Sequence, residues 1–135
     1  MNCIPESEPR TRYAVMARLL SESDVQFVAA RGGRKLARQL RTQHRRIYLL
    51  YWRELAREMN AARRALRTQM EGRQDWDFER LLANERQCFA ILARLRWAAV
   101  RHAVGLPVDG SLIEHLLAAA DEWWLRGTLI PLETR

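Results

Sequence analysis

Two cysteines, four prolines and six glycines are spread over 135 residues, and lysine occurs once. Each scarcity excludes something. Cys3 and Cys88 are too few and too far apart to staple a small fold, so a reducing compartment suits the chain. With so little proline and glycine there are few breaks, and long uninterrupted helices are expected. Uncharged runs are short; Gln87–Ala93 and His102–Val108 fall far below the about 20 residues that a membrane span needs. The N-terminal segment Met1–Pro9 carries Glu6 and Glu8 and no apolar run, so no signal peptide is read there and a cytoplasmic location is expected. Catalytic and metal motifs are missing as well. His44, His102 and His115 fall on separate segments with no ligand spacing. Gly32-Gly33 lacks the strand and the Gly-Lys-Ser/Thr of a phosphate loop. No enzyme activity, cofactor or metal is therefore expected.

What remains is helix-forming and basic. Ala, Leu, Arg, Glu and Gln dominate, 48% of residues are hydrophobic and 29% are charged, which is globular composition rather than disorder. One domain covering residues 1–135 is expected, burying roughly 68% of the surface its unfolded chain exposes. The net charge is +7, and it is unevenly placed. Between Arg34 and Arg67 lie eleven basic residues and two acids, Glu54 and Glu58, so that segment holds +9 and the rest of the chain −2. All the basic residues except Lys35 are arginine, whose planar guanidinium suits carboxylate and phosphate forks.

The apolar periodicity predicts an all-α fold, a three- or four-helix bundle built on a long antiparallel helical hairpin. Residues 1–20 read as an irregular lead, with a short apolar turn through Tyr13, Met16, Leu19 and Leu20. Ser21-x-x-Asp24 reads as the cap of a helix over 21–31 that Gly32-Gly33 ends. A helix over 34–70 follows, with Leu36, Leu40, His44, Ile47, Tyr51, Leu55, Met59, Ala62, Leu66 and Met70 as its apolar stripe; it would be roughly 55 Å long. A loop around Gly72, capped by Asp75, leads to a helix over 76–104. Its stripe is Phe78, Leu81, Leu82, Glu85, Cys88 or Phe89, Leu92, Leu95, Ala99 and Ala103, and Gly105 stops it. Ser111-x-x-Glu114 reads as the capping box of a last helix over 111–126, and 129–135 is unassigned.

At 100° per residue, Arg34, Arg38, Arg41, Arg45, Arg46, Arg53, Arg57 and Arg64 fall in one sector opposite the apolar stripe, together with Arg63 and Arg67. Trp52 lies at the border of that sector. These arginines with Trp52 are the candidate binding face, and its expected partner is an acidic protein. The alternative is nucleic acid: a short helix, Gly-Gly and a basic helix echo a helix-turn-helix, with Lys35–Arg46 offering Arg38, Gln39, Arg41, Gln43 and Arg45. Attachment to anionic membranes through arginine and tryptophan is a third reading. Against all three stands a solvated face balanced by acids such as Glu71, Asp75, Asp77, Glu79 and Glu85. Self-association as a homo-oligomer, most simply a dimer through the hairpin, is also open. His44 and Glu85, polar residues in apolar stripes, read as structural, with a cross-hairpin pair between them one arrangement. Cys88 reads as a small core residue, and of the adjacent Trp123 and Trp124 one must sit at an edge.

Three segments, Arg18–Phe27, His44–Glu58 and Arg94–Gly105, resemble a group of uncharacterised bacterial helical proteins that share an Arg-Arg-Ile-aromatic…Tyr-x-Arg-Glu-Leu-Ala-Arg stretch. The likeness covers about two-thirds of the chain. It implies a bacterial, all-helical protein and carries over no functional residue.

Overall fold

The computed structural model describes residues 13–71 and 77–133. The fold is all-α, with helices packed on helices and, among the described residues, no strand. Four helices appear in order: α1 Val15–Leu19, α2 Glu22–Glu71, α3 Phe78–Ala103 and α4 Gly110–Glu133. The lead residues Met1–Pro9, the expected loop around Gly72 and the expected cap Asp75 lie outside the described residues.

Gly33 divides α2 into an arm (22–32) and a shaft (34–71). Its φ of +88° and ψ of 175° are open to glycine and strained for any residue with a Cβ. Val25 of the arm and Ala37 of the shaft are both buried. Residues 25, 26 and 29 line one hollow with 34, 37, 38 and 41, so the arm folds back along the start of the shaft.

The helix ends follow from local chemistry. Asp77, in extended conformation, accepts from the backbone N–H groups of Glu79 and Arg80 and starts α3. At the far end Gly105 takes φ +82°. Leu106 N–H then reaches Arg101 O at 2.9 Å and Gly105 N–H reaches His102 O at 3.2 Å, the paired bonds of a Schellman end. The last helix starts earlier than its Ser-x-x-Glu pattern suggests. Asp109 is the cap, accepting from Ser111 N–H at 3.0 Å and from the Ser111 hydroxyl at 2.9 Å. An ionised carboxylate at the positive helix end outcompetes the hydroxyl for that position. At the other end α4 runs on through Gly127 to Glu133 instead of stopping near Arg126, because Gly127 does not adopt the positive φ that would end it.

The core joins all four helices: Tyr13, Met16 and Leu20; Tyr48, Leu55 and Met59; Cys88, Ile91, Leu92 and Leu95; Ile113, Leu117, Ala120 and Trp123. The lead is therefore not irregular throughout. Met16 on α1 is fully buried, and Tyr13 meets Tyr51 edge-on at 6.2 Å while its hydroxyl donates to Glu58. Along α2 and α3, Tyr48 donates to Leu95 O at 2.5 Å, Trp52 to Leu92 O at 2.9 Å, and Arg63 meets Glu85 at 3.4 Å. As α2 advances α3 retreats, so the two run antiparallel through this stretch. Trp123 is buried and donates to Asn84 O at 3.0 Å, whereas Trp124 is half-buried at the edge.

The α2 stripe holds from Leu55 onward but is displaced before it. Ala37 and Tyr48 are buried, while their neighbours Leu36 and Ile47 are 50% and 40% exposed. Two contacts turn the shaft this way: the arm covering Ala37 and the Tyr48 hydroxyl reaching Leu95 O. On α3, Cys88 takes the core position and Phe89 the surface, with Phe78 and Leu82 exposed too.

Candidate functional site

The arginine sector does not remain one face once the helices are packed. Its inner edge is drawn into the bundle. Arg41 and Arg45 are half-buried, and Arg45 Nη1 lies 3.4 Å from His102 Nδ1. Arg63 forms an ion pair with Glu85, both side chains more than four-fifths buried, and Arg67 reaches Glu85 at 4.0 Å and Glu71 at 3.4 Å. Glu85 is thus the partner of Arg63 and not of His44, which stands several helical turns away; His44 is half-buried on the shaft. Arg57 pairs with Glu54 on the exposed surface at 3.2 Å, a contact worth little in water.

The outer edge keeps its charge unanswered. Among the described residues, no ion pair or side-chain hydrogen bond engages the guanidinium groups of Arg34, Arg38, Arg46, Arg53 or Arg64, and all five are exposed. For the first four the reason lies in the sequence order: no acid occurs from Val25 through Arg53, and none from Arg86 through Val108 on the facing helix; near Arg64, Glu85 is taken by Arg63 and Arg67. The stretches that pack beside each other are thus both cationic.

Trp52 sits where these features meet. Half-buried, it is fixed by its Nε1–H bond to Leu92 O, and the Arg96 guanidinium lies 5.1 Å above its ring. Two turns away Arg63 lies 5.1 Å above Phe89, whose ring is half exposed. Arginine stacked on an aromatic face is a cation–π contact in which the ring also screens one side of the guanidinium from water. Arg96 and Phe89 were not among the candidates legible from composition, because the relevant arginine–aromatic contacts cross from one helix to the other.

Beside this seam α3 presents a second apolar stripe. Leu82, Phe89, Trp97, Val100 and Val104 are 40–67% exposed, and with exposed Ala93 they fall within about 80° of the helix circumference. That sector lies on the side turned away from α4. Extending the register of the Tyr48–Leu95, Trp52–Leu92 and Arg63–Glu85 pairs places Arg64 level with Leu82, Arg57 with Phe89, Arg53 with Ala93 and Arg46 with Val100. The outer flank of α2 is cationic and the outer flank of α3 apolar except for exposed Arg86, which shares the sector of the stripe, and the two lie side by side for roughly 27 Å.

Burial shifts two groups of the core. Burial pushes the Cys88 thiol up to about 11; the nearby Glu85 charge adds to that rise and Arg63 opposes it. A thiol so raised is protonated at neutral pH and a poor nucleophile. Burial likewise moves the Tyr48 phenol well above its usual range. Among the described residues, no group of three or more His, Cys, Asp or Glu side chains is placed to hold a metal ion, and no helix is long and apolar enough to cross a membrane.

Comparison with known proteins adds no name to this surface: no protein-family model, curated protein or solved structure matches the chain.

Proposed function

We propose that the protein is a non-enzymatic binding or scaffolding module that presents the outer arginines of α2 to an acidic partner protein. The observation that carries this reading is the row Arg34, Arg38, Arg46, Arg53 and Arg64, exposed and without an internal counter-charge, while Glu54, Glu71 and Glu85 are engaged by other arginines of α2. Guanidinium groups held on a rigid helix take carboxylate forks with little further ordering, and a cationic flank speeds encounter with an acidic surface. The test is a comparison of the wild-type chain with the Arg38→Glu/Arg46→Glu/Arg53→Glu/Arg64→Glu variant as bait in native lysate, eluted by a salt step and analysed for protein, nucleic acid and lipid. An acidic protein retained by the wild type and lost by the variant is the expected outcome. Equal retention by both baits removes the arginine row as the site.

One observation favours nucleic acid as a second reading. Lys35, Arg38, Gln39, Thr42, Gln43 and Arg46 line a shallow hollow on one side of the shaft, directly after the Gly33 turn. Cations for phosphates alternate there with amide and hydroxyl groups able to meet base edges. This reading predicts nucleic acid in the salt eluate and an affinity for duplex that falls steeply as salt rises.

A further inference from the structure

We infer that the acidic partner binds through an amphipathic α-helix, laid lengthwise along the α2–α3 seam with its apolar side on the outer stripe of α3 and its carboxylates on the arginines of α2. This presupposes that the arginine row is an acidic-protein site, and it adds the shape and second half of that site.

Three features select a helix. The exposed apolar residues of α3 recur at steps of seven, four, four, three and four from Leu82 to Val104, the spacing at which a neighbouring helix buries its own stripe. Exposed fractions of 40–67% on two aromatic and three aliphatic side chains amount to an apolar patch on the order of 500 Å², at the upper end of what a monomer leaves uncovered without a use for it. Leu82, Phe89, Ala93 and Val100 each have an arginine of α2 level with them across the seam, whereas Trp97 and Val104 are level with Leu49 and Thr42, so over the charged levels a ligand needs one apolar and one acidic edge running in parallel. A helix of roughly 18 residues spans the length from Arg64 to Arg46.

Charge decides against a second copy of the chain. Stacking two such stripes in a two-fold dimer would bring Arg86, Arg96 and Arg101 of one copy against the same cationic helix of the other, and α3 has no acid from Arg86 onward to answer them. Duplex nucleic acid would satisfy the arginines but leave the apolar stripe in water. A membrane would cover the stripe, but the exposed guanidinium groups of Arg46, Arg53 and Arg64 stand in a row along one edge of a continuous helix, a geometry suited to fixed carboxylates.

The experiment places the photoreactive amino acid p-benzoylphenylalanine at Ala93, an exposed position in the stripe, in the full chain expressed in its native cells; the same label at exposed Glu114 on α4 is the control. Irradiation is expected to join position 93, and not position 114, to one segment of another protein. That segment should carry apolar residues at three- and four-residue steps with Asp or Glu along their border. Cross-links to this chain itself, to lipid, to nucleic acid, to a segment lacking that pattern, or to nothing overturn the inference.

Two variants separate this inference from the broader reading. Trp97→Ser/Val100→Ser removes only exposed apolar groups, and Arg46→Glu/Arg53→Glu reverses only exposed charge, so both should fold as the wild type does. Each is expected to lower the cross-link yield and the retention of the partner by about tenfold or more. If the charge reversal abolishes retention while the apolar variant leaves it unchanged, the acidic-partner reading stands and the helix inference falls. If neither variant changes retention, both fall.

Discussion

The two ends of the shaft of α2 are both rich in arginine and have different fates. From residue 48 onward it supplies Tyr48, Leu55 and Met59 to the common core, and Arg57, Arg63 and Arg67 find Glu54, Glu71 and Glu85, while Arg53 and Arg64 stay outside these pairs. Before residue 48, neither the arm nor the shaft contributes to that core. Val25 and Ala37 are buried locally, and exposed Leu36, Ile47 and the outer arginines face water. An arginine becomes structural or available according to whether the helix packed beside it brings an acid within reach. The first turns of α3 bring Glu85, and its last turns bring only Arg94, Arg96 and Arg101. One basic helix is thereby anchored in the core along its second half and left with exposed, unanswered arginines along its outer edge in both halves.

The sharpest way to break that contrast is to remove equal volume from each half. Leu55→Ala should cost about 2–5 kcal/mol in urea unfolding, because a fully buried leucine leaves a cavity, whereas Leu36→Ala should stay within about 0.5 kcal/mol. Similar losses would mean that the first half is anchored after all. Next in size is Arg63→Met, which leaves the largely buried Glu85 with only the more distant Arg67; a loss of about 1–3 kcal/mol is expected, against near zero for Arg53→Met. Gly33→Ala comes third. Nothing lies within 4 Å of the added Cβ, so its cost is the positive φ alone, about 1–2 kcal/mol, read as a lowered Tm.

The most specific effect is alkaline, and it is small near neutral pH. Burial on folding raises the pKa of both Cys88 and Tyr48, so each holds its proton more tightly folded than unfolded. The stability this gives is complete below the unfolded values and drains away as pH rises through them. For Cys88 that window runs from about 8.5 to about 11. Urea midpoints should fall across that range, and Cys88→Val should flatten the fall. An unchanged slope in the variant would place the titration elsewhere.

Much of this was legible in one dimension. The three- and four-step apolar recurrence in a chain poor in proline and glycine requires helices. Gly105 followed by Pro107 marks a stop because only glycine adopts the left-handed conformation without strain. Less was legible where two residues compete for one role. Asp109 and Ser111 are both good caps, and Leu36 and Ala37, Ile47 and Tyr48, or Cys88 and Phe89 lie about 100° apart on the wheel, within the uncertainty of a stripe's centre. Packing resolved the two pairs on the shaft, by the arm over Ala37 and by the Tyr48 hydroxyl meeting Leu95 O.

The candidate surface divides the same way. The sequence alone determined that the cations lie along one side of a helix, since angular position depends only on residue number and helical pitch. It could not determine which of them remain available, because ion pairing is a property of neighbours far apart in the chain. Only the tertiary structure brought Glu85 to Arg63 and Arg96 to Trp52, and turned the α3 stripe outward beside the arginines that no acid reaches.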